Sequence, residues 1–310
     1  MTKGRIGWRR WSLILLSVVV LAACLAIELG SRLPASGIPG WTEIYRGLGL
    51  TPASAEGVLE VHFLSVGNAD CILLRQGEQA ALIDGGEPGD GERILDYLRR
   101  YGVEKLDFVL VSHGHDDHVG GLELVVSALP VERLLIGFLP PVDEQEPVYK
   151  ALLVTAEKIA VPIETVQAGV KIRLGEAELC VVSALPAAKD ENDRSVVARL
   201  TFGDRAFLFT GDAGKVVEEQ LLKSETPLQA DVLKIGHHGS KNSSSVAFLR
   251  RVAPAYAVIS SGVGNVHNHP AEAVLQRLQE LGITCLRNDV AGHVIFTTDG
   301  SALVVRTEQE

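Results

Sequence analysis

Ser112-His113-Gly114-His115-Asp116-Asp117-His118 is the stretch that decides the fold, and it directly follows the apolar run from Phe108 to Val111. The apolar run predicts a strand, so the histidines are expected on a loop at its carboxyl end. Imidazole nitrogens and a carboxylate oxygen are suitable ligands for zinc or manganese, and one short loop brings them together with little flexibility to lose. The stretch therefore predicts a centre for two divalent metal ions, with zinc favoured and manganese as the alternative. The expected ligands on this loop are His113, His115, Asp117 and His118.

The spacing His-x-His-x-Asp-His resembles the defining motif of the metallo-β-lactamase superfamily, whose other landmarks follow in order towards the C-terminus. The resemblance implies a metal-dependent hydrolase that folds as a four-layer αββα sandwich. It also implies that Asp84 supports the metal-binding loop by hydrogen bonding, that Asp212 bridges the two metals, and that His237 supplies the last imidazole. On strand-end geometry His237 is preferred to its neighbour His238 as the ligand, and the choice between the two stays open.

One departure from that family concerns the first metal. No histidine occurs between His118 and Asp212, where many members with two metals supply a third imidazole. Asn192 and Ser195 stand in this interval, just before a hairpin that leads to Asp212. Either side chain could complete the first site through oxygen or water, or could bind substrate. The alternative is that Asn192 and Asp193 simply form a turn.

Four further elements narrow the resemblance to the hydrolase domain of ComEC-type competence proteins, the DNA-uptake channels of bacteria. They are Asn-x-x-Ser at 192–195, Phe-Thr-Gly-Asp at 209–212, Leu-Lys-Ile-Gly-His-His-Gly-Ser at 233–240 and His-Pro at 269–270. The segment 65–70 keeps Gly67 and Asp70 of that family's opening motif and departs from it at Ser65, Asn68 and Ala69. A channel needs many membrane spans, whereas this sequence contains one apolar segment, so the chain resembles the hydrolase domain without its pore. The resemblance implies a phosphodiester substrate and a competence channel as a partner. DNA is the first candidate substrate, phosphorylated wall polymers or choline phosphate esters are the second, and the acidic net charge favours the smaller substrates.

The same resemblance implies an in-line attack of water on phosphorus, with the metals lowering the pKa of that water and stabilising the developing charge. Asp117 would bind the second metal and orient the water. The other catalytic candidates are His238 and His269, which are expected to contact phosphate or to protonate the leaving group. The candidates for binding substrate are Asn192, Ser195, Ser240 and Lys241.

The N-terminus predicts export or membrane anchoring. Four basic residues, Lys3, Arg5, Arg9 and Arg10, precede an apolar run from Trp11 to Ile27. Three alternatives follow: an uncleaved signal anchor, a lipoprotein lipidated at Cys24 because residues 21–24 resemble a lipobox, or simple secretion. Each alternative keeps the basic flank inside and the catalytic domain outside the membrane. The predicted organisation is a signal anchor or lipoprotein signal at 1–29, a linker at 30–56, and a metallo-β-lactamase-fold hydrolase domain at 57–310.

Interspersed strand and helix patterns predict the layers of an α/β fold. Short apolar runs at Val58 to Val66, Cys71 to Leu74 and Ala80 to Ile83 predict consecutive antiparallel strands. Gly203-Asp204 and Asp299-Gly300 predict the turns of two hairpins. Helical periodicity near 122–129, 148–159, 216–222, 246–252 and 273–281 predicts helices between the strands.

Composition limits the classes of function. Of 310 residues 46% are hydrophobic, which is enough to fill a core, and the net charge of -10 lacks the basic surplus of proteins that store DNA. The four cysteines form no CxxC pair of the kind found in structural zinc sites. Two other functions stay open, namely hydrolysis of amides or lactones, including β-lactams, and a non-catalytic receptor for DNA or wall polymer. The oligomeric state stays undecided.

Overall fold

The computed structural model describes residues 4–31, 44, 48, 57–141, 143 and 145–309. It divides into two compact units, one made of the described residues within 1–53 together with 96–104, and the other of the described residues within 54–95 and 105–310. Most of the predicted linker at 30–56 lies outside the described residues. The predicted boundaries of the three segments therefore stay predictions.

The N-terminal segment forms helix α1 (Gly4–Ser31). Its window from Arg10 to Ile27 has a mean hydropathy of 2.3, and the apolar side chains in this window are largely exposed. The helix is long and apolar enough to cross a membrane, although a signal sequence would have the same length and composition. The predicted apolar segment is thus present as a helix.

The rest of the chain folds into strands and helices that alternate as the sequence predicts. The strands are β1 (Leu59–Phe63), β2 (Ile72–Gln76), β3 (Gln79–Ile83), β4 (Phe108–Val111), β5 (Leu134–Ile136), β6 (Ile163–Thr165), β7 (Lys171–Leu174), β8 (Ala177–Ser183), β9 (Val197–Phe202), β10 (Arg205–Phe209), β11 (Val232–Lys234), β12 (Tyr256–Ile259), β13 (Thr284–Arg287), β14 (His293–Thr298) and β15 (Leu303–Glu308). The helices are α2 (Gly91–Arg100), α3 (Asp116–Val119), α4 (Leu122–Ala128), α5 (Pro147–Lys158), α6 (Lys215–Lys223), α7 (Val246–Val252), α8 (Glu272–Glu280) and α9 (Asn288–Ala291).

Two sheets contain these strands. Among the described residues, one sheet has eight strands in the order β15-β14-β1-β2-β3-β4-β5-β6, and the other has seven in the order β13-β12-β11-β10-β9-β8-β7. Strands β1, β2 and β3 are consecutive and antiparallel, and β9 and β10 form a hairpin, as do β14 and β15. Each sheet changes from antiparallel to parallel pairing, the first between β3 and β4 and the second between β10 and β11.

The main core lies between the two sheets, where apolar side chains from both are fully buried. Phe63 of the first sheet lies 6.1 Å, centroid to centroid, from Phe209 of the second and 6.1 Å from Phe296. A second apolar cluster covers the outer face of the seven-stranded sheet with residues of α6, α7 and α8, among them Val217 and Phe248. Helices α4 and α5 pack on each other, and α5 contacts the edge strand β6. The predicted four-layer sandwich of two sheets and flanking helices is confirmed.

Candidate metal centre

The predicted metal ligands follow the strands at which both sheets change to parallel pairing. Asp84 follows β3, and the loop from His113 to His118 follows β4. From the other sheet, Asp212 follows β10 and the His237-His238 pair follows β11. Parallel strands present their carboxyl ends at one edge of a sheet, and such a change of pairing opens a crevice there. The topology therefore brings residues that are distant in sequence to one place.

Four of these residues form a compact cluster. One ligand atom from each of Asp117, His118, Asp212 and His238 lies within 4.8 Å of all the others. Asp212 is central, because its Oδ1 lies 3.3 Å from His118 Nε2 and 3.4 Å from His238 Nε2. Asp117 closes the cluster, with Oδ2 3.3 Å from His238 Nε2 and Oδ1 3.8 Å from His118 Nε2.

Three atoms of the cluster lack a hydrogen bond. Nε2 of His118, Nε2 of His238 and Oδ1 of Asp212 are buried, and none has a hydrogen-bond partner within the described ranges. Buried polar groups are normally paired, because leaving one unpaired costs about 1–3 kcal/mol. Three unpaired lone-pair donors that point at one another fit a cation. This donor set of two imidazoles and two carboxylates suits zinc or manganese.

Hydrogen bonds on the far side of each imidazole fix its orientation. His118 Nδ1 lies 2.8 Å from Asp84 Oδ2, and His238 Nδ1 lies 3.0 Å from the carbonyl oxygen of Ser260. Because both partners are acceptors, each Nδ1 carries the proton and each Nε2 is left free as a donor to a metal. Asp84 also accepts a hydrogen bond from the amide of Ser112 at 2.7 Å, which ties the start of the metal-binding loop to β3.

The electrostatics of the cluster favour positive charge. Burial lowers the pKa of His118, but the carboxylates of Asp212 and Asp84 outweigh this and hold it well above its ordinary value. Burial raises the pKa of Asp212, but the neighbouring His238 and His118 hold it well below its ordinary value. The pKa of Asp117 is lowered in the same way, against burial, by the neighbouring imidazoles of His238 and His118. The site thus stabilises a cation where the three unpaired atoms meet.

His113 and His115 lie beside the cluster and contact each other. His113 Nε2 lies 3.0 Å from His115 Nδ1, and the two rings meet edge to face. Burial, followed by the positive charge of His118, holds the pKa of His113 well below its ordinary value, so its ring is neutral as a metal ligand must be. The structure therefore brings these two predicted ligands to the edge of the four-residue cluster without joining them to it.

The His237-His238 pair brackets Asp212. Both residues have φ of 50°, a left-handed conformation that turns the two side chains apart. His238 is buried, and its Nε2 lies 3.4 Å from Oδ1 of Asp212. The side chain of His237 is 30% exposed, and its Nε2 lies 3.7 Å from Oδ2 of Asp212. Strand-end geometry favoured His237 on the assumption that the chain continues in the direction of β11. The chain turns after β11 instead, so the positions of the two side chains could not be predicted in this way. The structure places His238, rather than His237, in the four-residue cluster.

Ser195 and Asn192 lie at different depths. Ser195 is fully buried, and its Oγ accepts a hydrogen bond from the amide of Asp212 at 3.0 Å and lies 3.4 Å from His113 Nδ1. In this position the hydroxyl holds two predicted ligands and is not open to substrate. Asn192 begins a short 3-10 turn, Asn192–Arg194, and its Oδ1 is a buried atom without a hydrogen-bond partner in the described structure.

The other predicted substrate-binding residues follow the His237-His238 pair in the sequence or lie beside it. Ser240 is 6% exposed and Lys241 is exposed. His269 is partly buried, its ring centroid lies 5.6 Å from that of His237, and burial followed by the charges of His237 and His238 lowers its pKa to about 4. The structure thus places His269 beside His237, and its role in turnover stays a prediction.

Sequence reasoning missed a buried ion pair beneath the cluster. Lys234 is fully buried, and its Nζ lies 2.8 Å from Asp70 Oδ2 and donates to the Ile235 carbonyl at 2.9 Å. The same carboxylate lies 3.7 Å from His238 Nδ1 and 3.9 Å from His118 Nδ1. Asp70 and Lys234 both lie in the segments that resemble the competence-protein motifs. The signal that could have revealed the pair was a lysine inside the apolar run of β11, because a buried charge needs a buried partner.

Replacement of Asp84 by asparagine should weaken metal binding about 10- to 100-fold, the usual effect of removing such a supporting carboxylate. Asparagine offers one acceptor oxygen, whereas Asp84 accepts from both Ser112 and His118. Competition with a chromogenic chelator measures the metal affinity. Asp107→Asn is the matched control, since Asp107 is a buried carboxylate that accepts a backbone hydrogen bond from Ala80 outside the cluster. Equal affinity in the two variants would remove Asp84 from the support of the site.

Comparison with known proteins agrees with the fold. Residues 64–263 match the family model described as the metallo-beta-lactamase superfamily. The chain therefore belongs to the metallo-β-lactamase superfamily.

Among curated proteins, the chain is similar to ComE operon protein 3 of Bacillus subtilis (strain 168), with 31% identity over 307 residues that cover 92% of this chain and 39% of that protein. It is also similar to Competence protein ComA of Neisseria gonorrhoeae, with 32% identity over 302 residues that cover 91% of this chain and 38% of that protein. The predicted resemblance to competence proteins is confirmed. The chain spans about two fifths of the length of these two relatives.

Solved structures share the fold at low identity. Igni18, a metallo hydrolase from the archaeon Ignicoccus hospitalis, superposes with a TM-score of 0.51 at 14% identity, over 81% of this chain and 100% of that chain. CmlA, a diiron beta-hydroxylase from Streptomyces venezuelae, gives a TM-score of 0.50 at 16% identity, over 80% of this chain and 58% of that chain. These likenesses support the fold alone.

Proposed function

We propose that this chain is a metal-dependent phosphodiesterase, with DNA as one candidate substrate, that acts outside the membrane to which its N-terminal helix anchors it. The observation that carries the proposal is the cluster of three buried, unpaired ligand atoms next to Asp117, whose side chain is 27% exposed. A site in which buried atoms have free lone pairs for a metal, and in which one carboxylate faces solvent, suits hydrolysis at a bound metal. The competence names of the relatives support a phosphodiester as substrate.

Two sets of residues would hold two divalent ions. Asp117, His118, Asp212 and His238 would hold one ion, and His113 and His115, together with Asp212, would hold the second. Nε2 of His237 lies 3.7 Å from Oδ2 of Asp212. His237 is therefore our candidate for the third imidazole that many family members supply from the interval between His118 and Asp212. When bound, such ions supply Lewis-acid stabilisation of negative charge and lower the pKa of water.

The protein's own groups would position the substrate around these ions. Asp117 lies at the border between the cluster and solvent, where its carboxylate can orient a water molecule towards phosphorus. His269 presents a buried Nδ1 without a hydrogen-bond partner among the described residues, so it is our candidate for contact with a substrate oxygen. We propose Ser195 as a positioning residue, because it holds the Asp212 amide and is fully buried.

Turnover measurements on the full chain in a non-ionic detergent test the proposal. The protein is loaded with zinc or manganese and given linear DNA, bis(p-nitrophenyl) phosphate and a chromogenic cephalosporin, beside the His115→Ala, Asp117→Ala double variant. Phosphodiester cleavage that is absent from the variant is expected. Hydrolysis of the cephalosporin alone would instead establish a lactam hydrolase, and binding of DNA without turnover under either metal would establish a receptor.

The N-terminal helix supports anchoring by its apolar, exposed surface between Arg10 and Ile27. We propose an uncleaved anchor, since the helix continues without a break from Cys24 to Ser31. Mass spectrometry of the chain isolated from membranes should then find the intact N-terminus. A mature chain that begins with a lipidated Cys24 would overturn the uncleaved anchor and establish the lipoprotein alternative.

A further inference from the structure

The loop 262–269 between β12 and α8 is held tightly at both of its ends. A Cβ atom added to Gly262 would lie 2.9 Å from the backbone of Gly67-Asn68, so the start of the loop packs directly on that segment. A Cβ atom added to Gly239 would lie 2.6 Å from Cβ of Pro270, so the end of the loop packs on the turn that carries the His237-His238 pair. Only glycine permits such close backbone contacts, and the two ends of the loop therefore have fixed positions.

The interior of the loop has few contacts of its own. Residues 263, 264 and 266–268 are exposed, and Val263 and Val266 are 85% and 87% exposed. Asn265 is the partly buried residue among them. Within the described residues, no other side chain of the loop makes a hydrogen bond. The shape of the loop between its two ends therefore depends on Asn265.

The side chain of Asn265 makes three hydrogen bonds that close the loop. Its Nδ2 donates to the carbonyl oxygen of Gly262 at 2.9 Å and to that of His269 at 2.6 Å. Its Oδ1 accepts from the amide of His269 at 2.9 Å. An asparagine amide offers two N–H donors and one acceptor oxygen, so both donors are used here. The side chain ties the start of the loop to its end and fixes both backbone polar groups of His269.

The fixed backbone places the ring of His269 at the border of the metal centre. Its centroid lies 5.6 Å from that of His237, with the two rings edge to face, and 5.7 Å from that of the exposed His267. Neither ring nitrogen of His269 has a hydrogen bond within the described residues, and Nδ1 is the buried one of the two. Nε2 is therefore the nitrogen that a substrate beside His237 could reach.

We infer that Asn265 is a positioning residue, which holds the ring of His269 beside His237 so that His269 can contact a phosphate oxygen of the substrate. The inference rests on the proposed phosphodiesterase and adds to it a residue that acts through His269. Asn265 makes no contact with the four-residue cluster, so its effect does not pass through the metal ligands. A misplacement of a reacting group by about 1 Å can lower turnover on the order of 100-fold.

Asn265→Asp tests the inference with a change that keeps the size of the side chain. The aspartate keeps an acceptor for the His269 amide but turns a carboxylate oxygen, without a proton, towards the two carbonyl oxygens. The kcat/KM of the zinc-loaded full chain in non-ionic detergent on bis(p-nitrophenyl) phosphate should fall about 10- to 100-fold.

Asn268→Asp is the matched control, because it adds the same charge to the same loop. The side chain of Asn268 is exposed, and aspartate tolerates its left-handed φ of 52°. This variant should turn over the diester like the unmodified chain. Both variants should also bind zinc like the unmodified chain in chelator competition. Weaker zinc binding by Asn265→Asp would locate its effect at the metal and would overturn the inference.

A double-mutant cycle shows whether Asn265 acts through His269. The variant Asn265→Asp, His269→Ala should turn over the diester at the rate of His269→Ala alone, because a positioning residue has no effect once the ring that it positions is gone. Losses that multiply would mean that Asn265 acts independently of His269, and would overturn the inference while keeping the phosphodiesterase.

The contact between the two rings gives a readout that does not need turnover. In the zinc-loaded full chain, deuterated except for its histidines, a nuclear Overhauser contact between the rings of His237 and His269 should be present. It should persist in Asn268→Asp and be lost from Asn265→Asp. Its loss without diester turnover in any of the proteins would disprove the phosphodiesterase and keep Asn265 as the residue that positions His269. Diester turnover with the contact kept in Asn265→Asp would overturn the positioning and keep the phosphodiesterase.

Discussion

Asp212→Asn is expected to lower the affinity for zinc on the order of 100- to 1,000-fold, and to lower phosphodiester turnover to a similar extent. Structural zinc sites are worth about 10–16 kcal/mol, and one of four ligands carries roughly a quarter of that. Asp212 is the proposed ligand whose loss should matter most, because its Oδ1 lies between His118 and His238 while its Oδ2 faces His237. Asparagine keeps the volume but removes the charge that this cluster supplies to a cation. Chelator competition gives the affinity, and bis(p-nitrophenyl) phosphate gives kcat/KM.

Asp204→Asn makes the same chemical change at an exposed position in the turn between β9 and β10. This control should bind zinc and turn over substrate like the unmodified chain. Zinc affinity of Asp212→Asn within a factor of about three of the control would contradict the assignment, because it would leave no room for a ligand bond.

Lys234→Met should destabilise the fold by about 3–5 kcal/mol, since it leaves the carboxylate of Asp70 buried without its cation. For a unit of this size, Tm should fall by roughly 6–20 °C. All three tryptophans precede residue 57, so far-UV circular dichroism is the suitable signal for unfolding of the sandwich. Unfolding is followed in detergent, with and without zinc, because the pair lies beneath two of the ligands.

Two variants complete this experiment. Lys215→Met removes an exposed lysine at the start of α6 and should change the stability by about 0.5 kcal/mol or less. The double variant Asp70→Asn, Lys234→Met should recover part of the loss, because it no longer buries an unpaired charge. If Lys234→Met unfolds at the same temperature as Lys215→Met, the buried pair does not contribute to stability.

Much of the fold could be predicted because its signals are local. The apolar run Phe108 to Val111 predicts a strand, which is present, and the histidine-rich stretch after it predicts a loop, of which the second half forms the short helix α3. Gly203-Asp204 predicts the hairpin of β9 and β10, since two positions of a tight turn need special backbone conformations. Asp84 was expected to support the metal-binding loop, and it accepts hydrogen bonds from Ser112 and His118.

The rest depends on contacts between residues that are distant in sequence. The choice between His237 and His238 depends on a left-handed turn and on the Ser260 carbonyl that receives His238 Nδ1. Ser195 could not be distinguished from a substrate contact, because its burial arises from the packing of β9 against the neighbouring loop. Lys234 becomes interpretable only when Asp70 is known to lie beside it.

The candidate ligand cluster takes His118 from the short helix that follows β4 of one sheet, and Asp212 and His238 from the segments that follow β10 and β11 of the other. A metal ion bound by the proposed ligands would therefore join the two halves of the sandwich, and neither half alone would hold it. Selectivity for a metal then belongs to the assembled protein, because an incompletely folded chain offers only separate pairs of ligands. For a chain that crosses a membrane before it folds, the metal would be acquired at the destination. Under the proposed export of the catalytic domain, the metal supply outside the cell, rather than that of the cytoplasm, would determine which ion is bound.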